Sequence, residues 1–116
     1  MVCYYFTSDL MFTSKVKPFA QENGWTLRFP AFEAIDFSSI PDLILIDLDD
    51  VTSPDLDDLM RKFREKWKDL PATVAYGPHV KEARLQHARD VGVGTVLTRG
   101  QFHKQFSQWF PAKTTP

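Results

Sequence analysis

The sequence predicts an α/β domain with an open, five-stranded parallel sheet and helices on both faces. Five short apolar or β-branched stretches alternate with segments of helical periodicity along the 116 residues. The aliphatic run 43–46, bounded by Pro41 and Pro54, is typical of a strand buried on both faces. This run leads into Asp47, and the carboxyl ends of parallel strands are where such sheets place their sites. These observations predict the fold class and make Asp47 a candidate site residue.

The strands are predicted from residue types that suit a pleated, buried surface. Val2–Phe6 is apolar throughout, whereas residues 25–29 alternate and are placed at the sheet edge. The remaining strands are the aliphatic run, residues 73–76 and Thr95–Thr98. For five strands with right-handed crossovers, we expect the flavodoxin-like order 2-1-3-4-5, a three-layer sandwich. The ends of the first and third strands then flank the point where strand order reverses.

The first helix is predicted over residues 10–23, with Gly24 as its stop and Phe12, Val16, Phe19 and Ala20 on one face. Pro18 removes one backbone hydrogen bond, which predicts a kink near 14–18 rather than two helices. Residues 31–40 carry only a short apolar pattern, so a two-turn helix or an irregular loop is expected there.

The strongest helix signal follows the acidic residues. Ser53 is predicted as N-cap, Pro54 as first-turn proline and Asp55 as an early carboxylate. Apolar residues then recur at helical spacing from Leu56 to Trp67. The charges complement the helix dipole, with Asp55, Asp57 and Asp58 first and Arg64, Lys66 and Lys68 last. Part of the acidic cluster therefore has a purely structural explanation.

Two further helices are predicted over residues 80–90 and 101–110. The inner side of the first is assigned to Val80, Ala83, His87 and Val91. The second carries Phe102, Phe106, Trp109 and Phe110 at helical spacing. One domain is expected over residues 1–110, followed by a disordered C-terminal tail, 111–116.

The composition excludes several classes of partner. Fourteen Lys and Arg against fifteen Asp and Glu give a formal charge of −1, without the basic excess that nucleic-acid binding by charge needs. A single cysteine, Cys3, allows no internal disulfide, and no signal peptide or apolar run approaching about 18 residues is present. We therefore expect a cytoplasmic protein with no direct nucleic-acid or membrane partner. The composition leaves the oligomeric state open.

Several motifs in order resemble the receiver domains of two-component response regulators, the CheY-like family, over nearly the whole chain. They are an acid after the first strand (Asp9), a third strand ending in Leu-Ile-Asp-Leu around Asp47, the strand 73–76, a Gly-Val-Gly turn at 92–94 and the segment 98–102. The resemblance implies that Asp47 is the phosphoacceptor for a histidine kinase. It also implies an acid pair that holds Mg²⁺, a hydroxyl after the fourth strand and a lysine after the fifth.

The chain departs from that pattern at the phosphate pocket. The acid pair aligns with Thr7-Ser8 or Ser8-Asp9, so Asp9 and Asp47 form at most a weak metal site. The hydroxyl position falls at Gly77, and the lysine position at Arg99, whose planar guanidinium does not replace a compact ammonium.

These departures favour a degenerate receiver that is not an enzyme, requires no cofactor and works by protein–protein interaction. The expected partner is a signalling protein, either a histidine kinase or an output domain. The resemblance places its contact surface on the last two helices and the strand between them, at Arg84, Gln105, Gln108 and Trp109. Asp47 would then remain as a charge partner for Arg99.

Two alternatives stay open. In a working Mg²⁺-dependent phosphoacceptor, Asp49 or Asp50 would help to hold the metal, and Ser8 or Thr98 would supply the missing hydroxyl. A small flavodoxin-like enzyme is disfavoured because no Gly-rich phosphate loop follows the first strand and the histidines lack metal-ligand spacing.

Overall fold

The computed structural model describes residues 1–112, in which five strands form one sheet in the order β2-β1-β3-β4-β5. The strands are β1 (Val2–Phe6), β2 (Thr26–Arg28), β3 (Leu43–Asp47), β4 (Ala72–Gly77) and β5 (Thr95–Thr98). All four neighbouring pairs are parallel. The predicted order is confirmed, with β2 at an edge.

Helices cover both faces of this sheet. They are α1 (Leu10–Glu22), α2 (Asp55–Lys66), α3 (Glu82–Asp90) and α4 (Arg99–Gln105), with 3-10 turns at Phe32–Ala34 and Phe106–Trp109. Helices α1 and α4 pack on one face, and α2 and α3 on the other. Between β2 and β3 the chain forms only the first 3-10 turn, so it matches the irregular loop rather than the two-turn helix. No helix within residues 1–112 is long and apolar enough to cross a membrane.

The central strand β3 explains the unbroken aliphatic run. All five of its residues are buried. Because side chains alternate along a strand, Leu43 and Leu45 pack towards α1 and α4, while Ile44 and Ile46 pack towards α2 and α3. Because helices cover both faces of β3, none of its side chains before Asp47 faces water, and all of them are apolar.

Helix α1 follows the prediction closely. It is one continuous helix with Pro18 inside it, and Phe12, Val16 and Ala20 are buried. The Asp9 side chain accepts a hydrogen bond from the Phe12 N–H at 3.0 Å and so caps the helix. The bend near Pro18 stays a prediction.

The predicted N-cap of α2 is wrong. The cap residue is Pro54, and no side chain caps this end. If Ser53 capped the helix, its hydroxyl oxygen would accept a hydrogen bond from the Leu56 N–H. This N–H instead donates to the Thr52 carbonyl at 3.0 Å. The helix thus begins on a backbone turn at its predicted first carboxylate, Asp55.

The predicted inner face of α3 is also wrong at three of its four residues. A turn closed by the Lys81 N–H and the Pro78 carbonyl, at 3.0 Å, delays the helix to Glu82. Val80 therefore lies before the helix and is 75% exposed, whereas Leu85 and Ala88 are buried. Ala83 is exposed, and His87 is half-buried and bonds to Asp57 on α2. Val91, directly after the helix, packs against the core as predicted.

Helix α4 begins two residues earlier than predicted because a capping box fixes its start. Thr98 Oγ1 accepts from the Gln101 N–H at 3.1 Å, and Gln101 Oε1 accepts from the Thr98 N–H at 2.9 Å. Arg99 is therefore the first helical residue. After the second 3-10 turn, the Pro111 carbonyl accepts from Trp25 Nε1 at 3.0 Å. The rest of the predicted tail, residues 113–116, lies outside the described residues.

Candidate functional site

Four charged side chains meet where β1, β3 and β5 end. Asp9 follows β1, Asp47 ends β3 with Asp49 in the loop behind it, and Arg99 follows β5. Arg99 Nη1 lies 3.3 Å from Asp9 Oδ2, and Arg99 Nη2 lies 3.3 Å from Asp47 Oδ1. Arg99 Nη2 also pairs with Asp49 Oδ2. One guanidinium thus joins three carboxylates at the predicted reversal point of the sheet.

Both oxygens of Asp47 are engaged. Its side chain is 1% exposed. Oδ1 accepts from the Asp49 N–H at 3.0 Å as well as from Arg99, and Oδ2 accepts from Thr7 Oγ1 at 2.8 Å. Burial raises the pKa of Asp47 above its ordinary value, although the Asp49 N–H, the Thr7 hydroxyl and Arg99 all act to lower it.

This raised pKa predicts a pH dependence of stability with a definite sign. As pH rises through the folded-state pKa, the folded protein loses a proton that the unfolded chain has already lost near its ordinary value of about 3.9. The contribution of Asp47 to the free energy of unfolding therefore falls with rising pH across that window. Relative to the wild type, Asp47→Asn gains stability over the same window, and urea titrations from about pH 3 to about pH 8 measure the difference. A difference that is flat, or that falls with pH, would contradict the assignment.

An aromatic stack supports Arg99 from the side of α1 and α4. The Arg99 Cζ lies 5.5 Å from the centroid of the Tyr76 ring, a cation–π contact. Tyr76 stacks on Phe102 at 4.2 Å, and its hydroxyl lies 2.6 Å from that of Tyr5. Burial lowers the pKa of Arg99, but the carboxylates of Asp47 and Asp49 outweigh it, so the net shift is upward. The guanidinium keeps its charge.

The hydroxyls that the phosphoacceptor alternative needs are already bonded. Ser8 Oγ donates to Asp50 Oδ1 at 2.7 Å, and the Ser8 N–H donates to Asp50 Oδ2 at 2.7 Å. Thr98 Oγ1 caps α4, as described above. Thr7, directly after β1, supplies the hydroxyl that reaches Asp47, whereas the family pattern places one after β4. The Ser8 hydroxyl proton is thus taken by Asp50, and the Thr98 hydroxyl is held at the start of α4.

The space around Gly77, where β4 ends, is filled by apolar side chains. A Cβ atom added there would lie 3.2 Å from Leu48 Cβ and 3.5 Å from Leu85 Cδ2. Leu48 is 1% exposed, and its Cβ cannot move without its backbone. A hydroxyl side chain, which the family pattern places at this position, would therefore fit only if Leu48 shifted by a few tenths of an ångström.

Gly77→Ala tests this packing. We expect the substitution to lower the free energy of unfolding by about 1–3 kcal/mol, the usual cost of an extra methyl group in a filled core. Gly100→Ala is the matched control, because a Cβ there meets nothing within 4 Å. The control is expected to be neutral or to gain up to about 1 kcal/mol from helix propensity. Chemical denaturation measures both, and equal effects would contradict the packing argument.

The carboxylates do not fit a divalent cation as they stand. Within residues 1–112, no group of three or more His, Cys, Asp or Glu side chains could hold a metal ion. Asp9 and Asp47 do converge, as the strand order predicts, but they converge on Arg99. The guanidinium supplies the positive charge that a metal would otherwise bring between them.

The four residues proposed as a partner surface lie on either side of the edge strand β5. Arg84 lies on α3 and pairs with Asp49 at 3.2 Å. Gln105, Gln108 and Trp109 lie on α4 and the turn after it, which pack on the opposite side of the sheet. Gln108 is exposed, while Gln105 and Trp109 are half-buried.

Sequence reasoning missed two residues of the site. They are Tyr76, whose ring makes the cation–π contact with Arg99, and Lys81, whose Nζ lies 3.7 Å from Asp49 Oδ1. A signal for Tyr76 was present: it is the last side chain before Gly77, one place from the end of a strand that leads to the site. Lys81 sits in the turn that displaced α3, so its position depended on the feature that was predicted wrongly.

Comparison with known proteins finds likeness in structure rather than in sequence. No family model matches the chain, and no curated protein matches it. A two-component response regulator from Clostridium difficile shares 18% identity at a TM-score of 0.67, covering 94% of this chain and 96% of its own. A putative response regulator from Chloroflexus aurantiacus shares 16% at 0.69, covering 97% and 98%. The Mn²⁺-bound form of response regulator Rcp1 shares 15% at 0.66, covering 99% and 98%. The chain has the fold of response-regulator receiver domains, as its motifs predict.

Proposed function

We propose that this chain is a receiver-like domain of two-component signalling that works through protein–protein contacts and not through phosphoryl transfer. The observation that carries the proposal is the Arg99 guanidinium, which joins Asp9, Asp47 and Asp49. The fold and the order of the motifs support a signalling role, and the contents of the site support its degeneracy.

The chemistry of phosphoryl transfer explains why this arrangement opposes it. The acceptor carboxylate needs a free oxygen for in-line attack, and a cation must neutralise the phosphoryl oxygens during transfer. Here Asp47 Oδ1 bonds to Arg99 and the Asp49 N–H, and Asp47 Oδ2 bonds to Thr7. Attack by Asp47 requires breaking these contacts, and no side chain at Gly77 can then hold the incoming group.

On this proposal the partner is a histidine kinase or an output domain, and the two proteins interact in the cytoplasm. The domain needs no resident cofactor and is not an enzyme. Arg84, Gln105, Gln108 and Trp109 remain the candidate contact residues, on the two sides of the edge strand β5. The second candidate, a working phosphoacceptor, keeps one observation in its favour: Asp47 ends the central strand at the reversal point of the sheet.

Incubation with acetyl phosphate and Mg²⁺, followed by intact-mass measurement, separates the two candidates. We expect no phosphoryl adduct on the wild-type chain, because Asp47 is engaged on both oxygens. Asp47→Asn is the control, since it removes the acceptor atom with little change in size. An adduct on the wild type that disappears in Asp47→Asn would establish the phosphoacceptor and overturn the degenerate receiver.

A further inference from the structure

The carboxylate of Asp49 lies between two parts of the molecule. Its Oδ2 pairs with Arg99 Nη2 at the start of α4. Its Oδ1 lies 3.2 Å from Arg84 Nη1 on α3 and 3.7 Å from Lys81 Nζ in the turn before α3. The two oxygens therefore face different elements, and each faces cations.

We propose that Asp49 is a positioning residue that couples the Asp47–Arg99 site to helix α3. The Asp49 side chain is 34% exposed, so the ion-pair network is partly shielded from water. Networked ion pairs in such a place contribute more to the free energy of folding than isolated surface pairs do. Its backbone N–H bonds to Asp47 Oδ1, which holds the loop against the site. No other ion pair within residues 1–112 joins α3 to this site.

The direction of the coupling follows because Arg84, Lys81 and Arg99 share the single negative charge of Asp49. When Arg84 and Lys81 lie close to Asp49, they weaken the attraction between Asp49 and Arg99. When they move away, Arg99 is drawn towards Asp49 and loosened from Asp47, whose Oδ1 lies 3.3 Å from the same Nη2 atom. A movement of α3 is thus converted into a change at the buried carboxylate, without a phosphoryl group.

A second tether of α3 provides a matched control. His87 on α3 bonds to Asp57 on α2, and neither residue contacts the Arg99 cluster. Helix α3 is also held by the buried Leu85 and Ala88, so it persists when either ionic contact is removed. Loss of the His87–Asp57 contact removes an ionic contact of α3 at a different carboxylate, while Leu85 and Ala88 hold the helix in place and Arg84 and Lys81 stay on Asp49.

What this coupling does for a partner rests on the proposed function. A partner that binds Arg84 or Lys81 would be registered at Asp47, and the reverse holds by linkage. The coupling itself is tested without any partner, so it can fail while the proposed function stands. A phosphoryl adduct would overturn the function while leaving the coupling intact.

The experiment measures the Nε–Hε resonance of Arg99 in the ¹⁵N-labelled full chain. We expect Arg84→Ala to shift this resonance in the wild-type background and to leave it unmoved in an Asp49→Asn background, the signature of a double-mutant cycle. Asp57→Asn is expected to leave the resonance where it is. The proposal is overturned if Arg84→Ala causes no shift, if its shift persists with Asp49→Asn, or if Asp57→Asn shifts the resonance equally.

Discussion

Replacing Arg99 with alanine is expected to lower the free energy of unfolding by about 2–4 kcal/mol, somewhat less than the roughly 3–5 kcal/mol for a fully buried ion pair, because Arg99 is 28% exposed. Asp47, 1% exposed, is left without its cation, and Asp9 and Asp49 lose the same neighbour. Chemical denaturation measures the loss. The double variant Arg99→Ala with Asp47→Asn is the control, because removing the buried charge recovers part of the stability. A loss below about 1 kcal/mol, as for an exposed pair, would contradict the central place of Arg99.

The same variant is expected to acquire a response to Mg²⁺. Without the guanidinium, three carboxylates face one gap, and oxygen ligands of this kind suit a hard divalent cation. Ligand binding to the folded state raises the thermal midpoint, so Mg²⁺ should stabilise Arg99→Ala and leave the wild type unchanged. Arg99→Lys is the matched control, since it keeps the positive charge on a shorter side chain. Equal Mg²⁺ responses in wild type and Arg99→Ala would show that Arg99 does not act as the resident cation.

Replacing Phe102 with alanine is expected to cost about 3–5 kcal/mol, the usual loss for a buried phenylalanine. Phe102 is 0% exposed, stacks on Tyr76 at 4.2 Å and meets Phe12 edge-on at 5.6 Å. Its loss opens a cavity directly behind the ring that supports Arg99. The free energy of unfolding from denaturant titration measures the effect.

Phe106→Ala is the matched control for Phe102→Ala. Phe106 also meets Phe12 edge-on, at 5.7 Å, but it is only half-buried. We expect a smaller loss, because less apolar surface leaves water when Phe106 packs. Losses of equal size would contradict the larger contribution expected from the fully buried Phe102.

The strand order was predictable because it depends on local patterns. The apolar run of β3 needs two covered faces, and the alternation of strands and helices leaves few topologies. The face of α3 was not predictable in the same way. This helix has only nine residues, and its phase was set by the turn between Pro78 and Lys81, which periodicity does not register.

The site was predictable in position but not in its bonding. Strand ends bring Asp9, Asp47 and Arg99 to one edge, and the pairing of Asp47 with Arg99 followed from their opposite charges. The contacts of Arg99 with Asp9 and Asp47 join residues 90 and 52 positions apart. How many carboxylates share one guanidinium over such distances depends on side-chain geometry, which only the structure supplies.

The capping box at the start of α4 bears on how long a signal through this domain would last. It fixes the backbone of Arg99, and the Tyr76 ring limits its side chain, so little conformational entropy is lost when the ion pairs form. The cation is installed as the chain folds, whereas an acyl phosphate is installed and hydrolysed afterwards. On the proposed function, no hydrolysis step ends a signal, and the signal therefore lasts as long as the partner stays bound.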